Sequence, residues 1–235
     1  MSTVPFRLEL DDGHFVVGDE HPGEPPSYVF LHGLGSVRAG EKSASLLAHA
    51  QRRGRGFLRF DLRGHGESSG RLGRVAVSEL IADTMRVLER VGPATLVGSS
   101  LGGLVGAHAA AARPDLVRSL ALLAPALGLM PDLASRLDHR GRMWTSNGIG
   151  FFVEPRVLDD ARTLDERGLP LRLSTPTLVV HGTADSELPP PVTERFVPAI
   201  PHAHKQLWVV PGGDHRLNTV APEIWRRLDA LVDGR

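Results

Sequence analysis

Short apolar runs rich in Val, Leu and Phe alternate along this chain with longer Ala-, Leu- and Arg-rich stretches of helical period. Parallel strands cannot be joined by a tight turn and need a crossover of a dozen residues or more, most often a helix, so the alternation marks an α/β fold. It predicts a mostly parallel central sheet of about eight strands flanked by helices. Only the start differs: 4–10 and 14–18 read as an antiparallel pair turning at Asp11-Asp12-Gly13. The runs at 28–31, 57–60, 95–97, 120–123, 177–180 and 206–210 follow, most of them apolar enough for buried strands. Helices are expected over about 40–53, 77–91 and 101–112, after Pro189-Pro190-Pro191, and over 222–231 with Pro222 in the first turn. From 127 to 174 the pattern breaks into short amphipathic pieces interrupted by Gly, Pro and Arg. This stretch is read as a short cap inserted within a single domain spanning 1–235, a length that one α/β domain accommodates.

Composition removes several kinds of chemistry. The 27 basic and 27 acidic residues balance, so no basic field is available to hold a phosphate backbone, and no nucleic-acid partner is expected. Cysteine is absent, which excludes disulfides, thiolate metal sites and a Cys nucleophile. The N-terminus lacks the positive start and long apolar run of an export signal, and no stretch approaches the length that spans a bilayer. A soluble, cytoplasmic protein is the expectation. Its basic residues are almost all arginines, the two lysines being Lys42 and Lys205.

The most specific motif is Gly98-Ser99-Ser100-Leu101-Gly102, a G-x-S-x-G placed where a predicted strand ends and an Ala-rich helix begins. In that context it reads as a nucleophile elbow, with Ser100 in frame and Ser99 out of it. The glycines are expected because a side chain two residues either side of so sharp a turn would clash. Close packing of the helix on the sheet explains Gly103 and Gly106 but not the whole pattern. A serine hydroxyl is a weak nucleophile at neutral pH and needs a base within hydrogen-bond reach, itself oriented by a third group. Asp185, in the loop after 177–180, and His215, in the Gly-rich loop after 206–210, supply these in the chain order Ser, Asp, His. Glu187 and Asp214 are rivals for the carboxylate, although Asp214 is better placed to cap its own turn. Among eleven histidines, His32, His65 and His181 sit at strand ends or Gly-rich turns, where an imidazole commonly just bonds backbone, and His108 falls within a helix.

The charge that develops on a carbonyl oxygen in acyl transfer must also be stabilised. The backbone N–H of Leu101, at a helix N-terminus, and that of Leu34, in His32-Gly33-Leu34-Gly35 after 28–31, are the expected donors. A plain strand-exit turn is the alternative for the second segment. Met143, Trp144, Phe151 and Phe152 in the cap are candidates for an apolar substrate wall, or equally for packing of the cap on the sheet. His202-Ala203-His204 lacks a third convergent ligand, so no metal is expected. Arg52-Arg53-Gly54-Arg55 is read as a solvated helix end.

Through HGLG at 32–35, DLRGHGES at 61–68, GSSLGG at 98–103, HGTAD at 181–185 and GGDHR at 212–216, the sequence resembles the α/β-hydrolase superfamily over nearly its full length. More narrowly, FLRFDLRGHGESSG at 57–70 with GDHRLN at 213–218 and the short insertion looks like the group that contains the mitochondrial depalmitoylating thioesterase and acyl-glucuronide esterase of animals, with its small bacterial relatives. The resemblance implies hydrolysis of small-molecule acyl esters or thioesters through an acyl-enzyme, with no metal or organic cofactor. It matches Ser100, Asp185 and His215 to the triad and Leu34 and Leu101 to the oxyanion amides. The short insertion departs from large-lidded lipases and argues against interfacial activation. Cofactor-free haloperoxidase or carbon–carbon bond hydrolysis on the same scaffold, or a noncatalytic small-molecule receptor, are the alternatives. Epoxide hydrolysis and dehalogenation are disfavoured because position 100 is Ser rather than a carboxylate. Monomer and homodimer are both open.

Overall fold

The computed structural model describes residues 3–145 and 148–233. The chain begins with strands β1 (Val4–Glu9) and β2 (Phe15–His21), then β3 (Glu24–Leu31), helix α1 (Glu41–Arg52), β4 (Arg55–Phe60), α2 (Val77–Val91), β5 (Ala94–Ser99), α3 (Leu101–Ala112) and β6 (Val117–Leu123). A cap segment follows, with β7 (Arg142–Trp144), β8 (Gly150–Phe152) and α4 (Pro155–Thr163). β9 (Thr177–Gly182), α5 (Pro191–Ala199), β10 (Lys205–Val210) and α6 (Ala221–Val232) complete it. The eight-stranded sheet has the order β1-β2-β4-β3-β5-β6-β9-β10. β2 pairs antiparallel with both β1 and β4, and every ladder from β4 to β10 is parallel.

Alternation along the strands builds two cores. Leu96 of β5, Leu120 and Leu122 of β6 and Val179 of β9 pack on the face with α2 and α3, whereas Val97, Ala121, Leu123, Leu178 and Val180 pack on the face with α1 and α6. α2 carries Leu80, Ile81, Val87 and Leu88 on one side, and α6 carries Ile224, Trp225 and Leu228, so each lays a single apolar stripe on the sheet. α3 is buried nearly all round, which its Ala and Gly residues permit. Arg53 is exposed, as its sequence context implies, and its guanidinium also pairs with Asp229 at 3.1 Å and Asp233 at 3.0 Å, which braces α1 against α6. The cation at the end of α1 finds acidic partners there because the two helices lie side by side.

One topological detail positions everything that follows. β3 has β4 on one side and β5 on the other, so the sheet grows in opposite directions from it. At such a switch point the loops leaving neighbouring strands diverge, and a crevice opens beyond their carboxyl ends. The loops after β3 and β5 carry Gly33 and Ser100.

The cap is better ordered than its composition implies. A 3-10 turn over Met130–Arg136, the β7–β8 hairpin, α4 and a second 3-10 turn over Pro170–Arg172 fill the connection between β6 and β9. It is fastened to the start of α2, where the Ser78 amide and hydroxyl both donate to Asp160 and Arg156 pairs with Glu79. Glu166 accepts the amides of Gly128 and Met130, closing the entry to the segment.

Candidate active site

Ser100 occupies the turn between β5 and α3 with φ 55° and ψ −118°, a conformation that non-glycine residues adopt only under strain of about 1–3 kcal/mol. Its amide donates to Leu123 O at 2.9 Å and its carbonyl accepts from Gly103, Leu104 and Ala126, so the surrounding backbone holds the serine in place. The flanking glycines are required by close approach. A Cβ on Gly98 would lie 2.2 Å from Gly102 O, and one on Gly102 would lie 2.4 Å from Leu31 O. The crowding thus extends beyond the serine to the end of β3. Among the described residues, Ser100 Oγ has no hydrogen-bond partner.

Asp185 and His215 are brought together from loops beyond β9 and β10, with Asp185 Oδ2 2.8 Å from His215 Nδ1. The loops touch because Gly182 lacks a side chain: a Cβ there would meet Gly213 O at 2.1 Å. Asp185 is 7% exposed and accepts the amides of Glu187 and Leu188, each at 2.9 Å, while His181 Nε2 lies 3.2 Å from Oδ2. Burial alone pushes its pKa up, but hydrogen bonds from His181, His215 and Leu188 overcome that and hold the carboxyl well below the usual carboxylate range. The rival carboxylates are placed differently. Asp214 accepts the Leu217 amide at 2.9 Å, and Glu187 lies 3.7 Å from His215 Nε2, on the other edge of the ring and too far for a hydrogen bond.

Ser100, His215, Leu34 and Leu101 line one cavity of about 700 Å³. Among the described residues, the N–H groups of Leu34 and Leu101 are given to no acceptor, as expected of a loop and of the first turn of a helix. The loop bearing Leu34 is clasped from below by the DLRGHGES segment. Asp61 accepts the Arg38 amide at 2.7 Å, the Arg38 guanidinium and the Glu67 amide at 3.0 Å, while the Ser68 hydroxyl donates to its carbonyl. The acid of this motif therefore ties the loop after β3 to the loop after β4. Asp61→Asn weakens the charged half of the clasp and, if the Leu34 amide serves as the oxyanion donor expected from the sequence, is expected to lower kcat about tenfold or more with a smaller change in KM, because a displaced donor is felt mainly in the transition state. Steady-state kinetics check this; an unchanged kcat would mean that the clasp does not set the loop.

His32 and His65 fasten backbone, and His108 is a buried ring within α3. His32 Nδ1 lies 2.8 Å from Gly33 O, and Nε2 accepts the Leu62 amide at 3.0 Å, which fixes the neutral ring with its proton on Nδ1. Burial, then the neighbouring His65, lowers its pKa to about 4. Burial also lowers that of His65, and lowers that of His108 to about 4. A histidine neutral when folded and free to charge when unfolded gives the unfolded state the extra proton between those pKa values. For His32 and His108 this contribution is therefore full above pH 6.5 and falls as pH drops toward 4, by roughly 1.4 kcal/mol per pH unit for each ring, and His65 acts in the same direction. Urea unfolding at pH 7 and pH 5 measures this, and His32→Gln should flatten the slope; equal midpoints at the two pH values would contradict it.

The cap closes the cavity with Met143 and Phe151, which are paired across β7 and β8, and Trp144 stands at the mouth. Phe152 does not join them. It is 65% exposed, because successive residues of a strand face opposite ways and Phe151 takes the inward position. Further lining that the sequence did not single out comes from α2, with Val77 and Leu80, and from Leu129, Met130, Leu133 and Val157. Helical periodicity marks these as core without distinguishing core from cavity wall. His202 Nδ1 accepts the His204 amide, and no group of three metal-ligating side chains occurs among the described residues.

A sheet of this order with a strained serine at its switch point and an Asp–His pair beyond two later strands defines an α/β hydrolase. The chain belongs to the alpha/beta hydrolase fold family, whose model matches residues 26–155. It is 29% identical over 214 residues to the mouse mitochondrial palmitoyl-protein thioesterase ABHD10, covering 85% of this chain and 72% of that protein. It is 38% identical over 110 residues to the pimeloyl-[acyl-carrier protein] methyl ester esterase of Chromobacterium violaceum, 43% of this chain and 38% of that one. In structure it resembles mouse alpha/beta hydrolase domain-containing protein 10 with a TM-score of 0.85 at 24% identity, over 100% of this chain and 99% of that one. The expectation of a cytoplasmic protein finds no support in the mammalian relatives, whose names place them in mitochondria. Among the described residues no helix is long and apolar enough to cross a membrane.

Proposed function

We propose that this chain is a serine hydrolase that cleaves small-molecule acyl esters or thioesters through a covalent acyl-enzyme. The observation that carries the reading is the shared cavity in which Ser100, the Asp185-paired His215 and two uncommitted backbone amides meet. Asp185 Oδ2 at His215 Nδ1 fixes the tautomer that leaves Nε2 as the base. Nε2 takes the Ser100 proton as Oγ attacks the acyl carbon; the reach between them tightens on binding, as is common in ligand-free sites. Asp185, held anionic, stabilises the imidazolium. The oxyanion is held by the amides of Leu34 and Leu101, the latter at the positive end of α3. His215 returns the proton to the leaving oxygen or sulfur, and water, activated the same way, releases the acid.

Thioesterase and esterase names among the relatives favour these bonds over haloperoxidation or carbon–carbon cleavage. Residues 127–174 act in this reading as a short cap within one domain, with Met143, Trp144 and Phe151 as substrate wall. The test is a panel of nitrophenyl esters and acyl thioesters of graded length, together with fluorophosphonate labelling, on wild type and Ser100→Ala. Ser100-dependent labelling and turnover support the proposal. A wild type that neither reacts with the probe nor hydrolyses any ester would refute it and leave a noncatalytic receptor.

A further inference from the structure

The cavity has two unlike halves. Under the cap it is apolar, walled by Leu80, Leu133, Met143 and Phe151. Between the start of α1 and the His215 loop it is polar, with Glu41, Lys42, Glu187 and Asn218. Catalytic geometry decides which half takes which part of a substrate. The proton held by His215 must reach the departing oxygen or sulfur, so the leaving group lies against the His215 loop. The polar half is on that side, and the acyl chain is left with the apolar half.

Charges in the polar half are unevenly committed. Glu41 accepts the Asn218 side-chain amide, and the Glu187 carboxylate lies beside His215. Lys42 makes no ion pair among the described residues. Its Nζ donates to the carbonyl oxygen of Arg216, which leaves further N–H groups of the ammonium for a ligand. Burial lowers its pKa to about 8; Asp214 opposes that shift, Arg216 adds to it, and Glu41 and Glu187 oppose it. The ammonium hydrogen-bonds a neutral carbonyl and shares its surroundings with the carboxylates of Asp214, Glu41 and Glu187, and its remaining N–H groups can meet an anion directly.

We propose that Lys42 is a specificity-determining residue that holds an oxyanion, a carboxylate or a phosphate, carried on the leaving group of the acyl substrate. The inference rests on the hydrolase reading above and adds the chemical class of what departs. S-hexanoyl thioesters of 3-mercaptopropionate, 2-mercaptoethyl phosphate and neutral 2-mercaptoethanol share one acyl chain and separate the two anions from each other and from an uncharged control. Wild type is expected to favour at least one anionic thioester over the neutral one in kcat/KM by roughly tenfold, the scale of one charge-assisted hydrogen bond. The anion with the larger ratio identifies the natural group.

Lys42→Gln keeps an N–H donor for the Arg216 carbonyl and removes the charge; it should bring that ratio close to one, as should Lys42→Met. A role confined to bracing the loop would lower all three substrates together and leave the ratio intact. The wild-type ratio should also fall as pH rises through about 8 and the ammonium loses its proton. A wild-type ratio near one, or a ratio unchanged in both variants while Ser100-dependent hydrolysis persists, overturns the assignment of Lys42 and leaves the hydrolase reading standing. Failure of wild type on all three thioesters, with no fluorophosphonate labelling, overturns both.

Discussion

Ser100→Ala is expected to lower kcat by roughly 10⁴- to 10⁶-fold while the protein stays folded. The loss is large because in the proposed mechanism the hydroxyl is the bond-forming atom, and what remains is only the rate supplied by binding and by the proposed oxyanion amides. The fold should survive because the hydrogen bonds that hold this turn, to Leu123 O and from Gly103, Leu104 and Ala126, all belong to the backbone of residue 100. Steady-state turnover, circular dichroism and probe labelling on the same preparation separate the two effects. Loss of less than about tenfold, with structure intact, would place the nucleophile elsewhere.

Asp83→Ala is expected to destabilise the protein by about 3–5 kcal/mol, a large share of the 5–15 kcal/mol typical of a domain. Arg63, from the DLRGHGES segment, is only 4% exposed, and its guanidinium donates to both carboxylate oxygens of Asp83 on α2, at 2.9 and 2.6 Å, with Asp12 as a further partner. Removing Asp83 takes away the two-pronged, buried partner of a cation that cannot shed its proton and leaves it the half-exposed Asp12, so the desolvation penalty stays while most of the attraction that offset it goes. Arg63 also borders the cavity, so displacement should reach the substrate site. Urea unfolding measures the effect. Replacing both partners together, Asp83→Leu with Arg63→Met, should cost less than Asp83→Ala alone; a double variant as unstable as the single one would count against this account.

Much of this architecture was legible because its signals are local. Strand ends fell where apolar runs met Gly-rich turns, and the order of Ser100, Asp185 and His215 along the chain needed no three-dimensional information to propose. What escaped reading depends on partners distant in sequence. Asp61 and Arg38 are 23 residues apart and meet only because β3 and β4 are neighbours. The pairing of Arg53 with α6 joins residues about 180 apart, and nothing in a run of arginines announces it. The cap hairpin has strands of three residues each, too short for a period of two to emerge, so Phe151 and Phe152 looked equivalent although the pleat sends them to opposite sides. Lys42 was visible as one of only two lysines, yet its place beside the His215 loop follows from how α1 begins, not from any motif around it.

The cap occupies a single connection between two strands that already pair with each other, β6 and β9. Its length and sequence can therefore drift without altering any ladder of the sheet or the Asp–His contact beyond it. On the proposed reading such a molecule separates its reaction from its diet: descendants can exchange one cassette of some fifty residues and acquire new tastes in acyl chain while inheriting the chemistry whole.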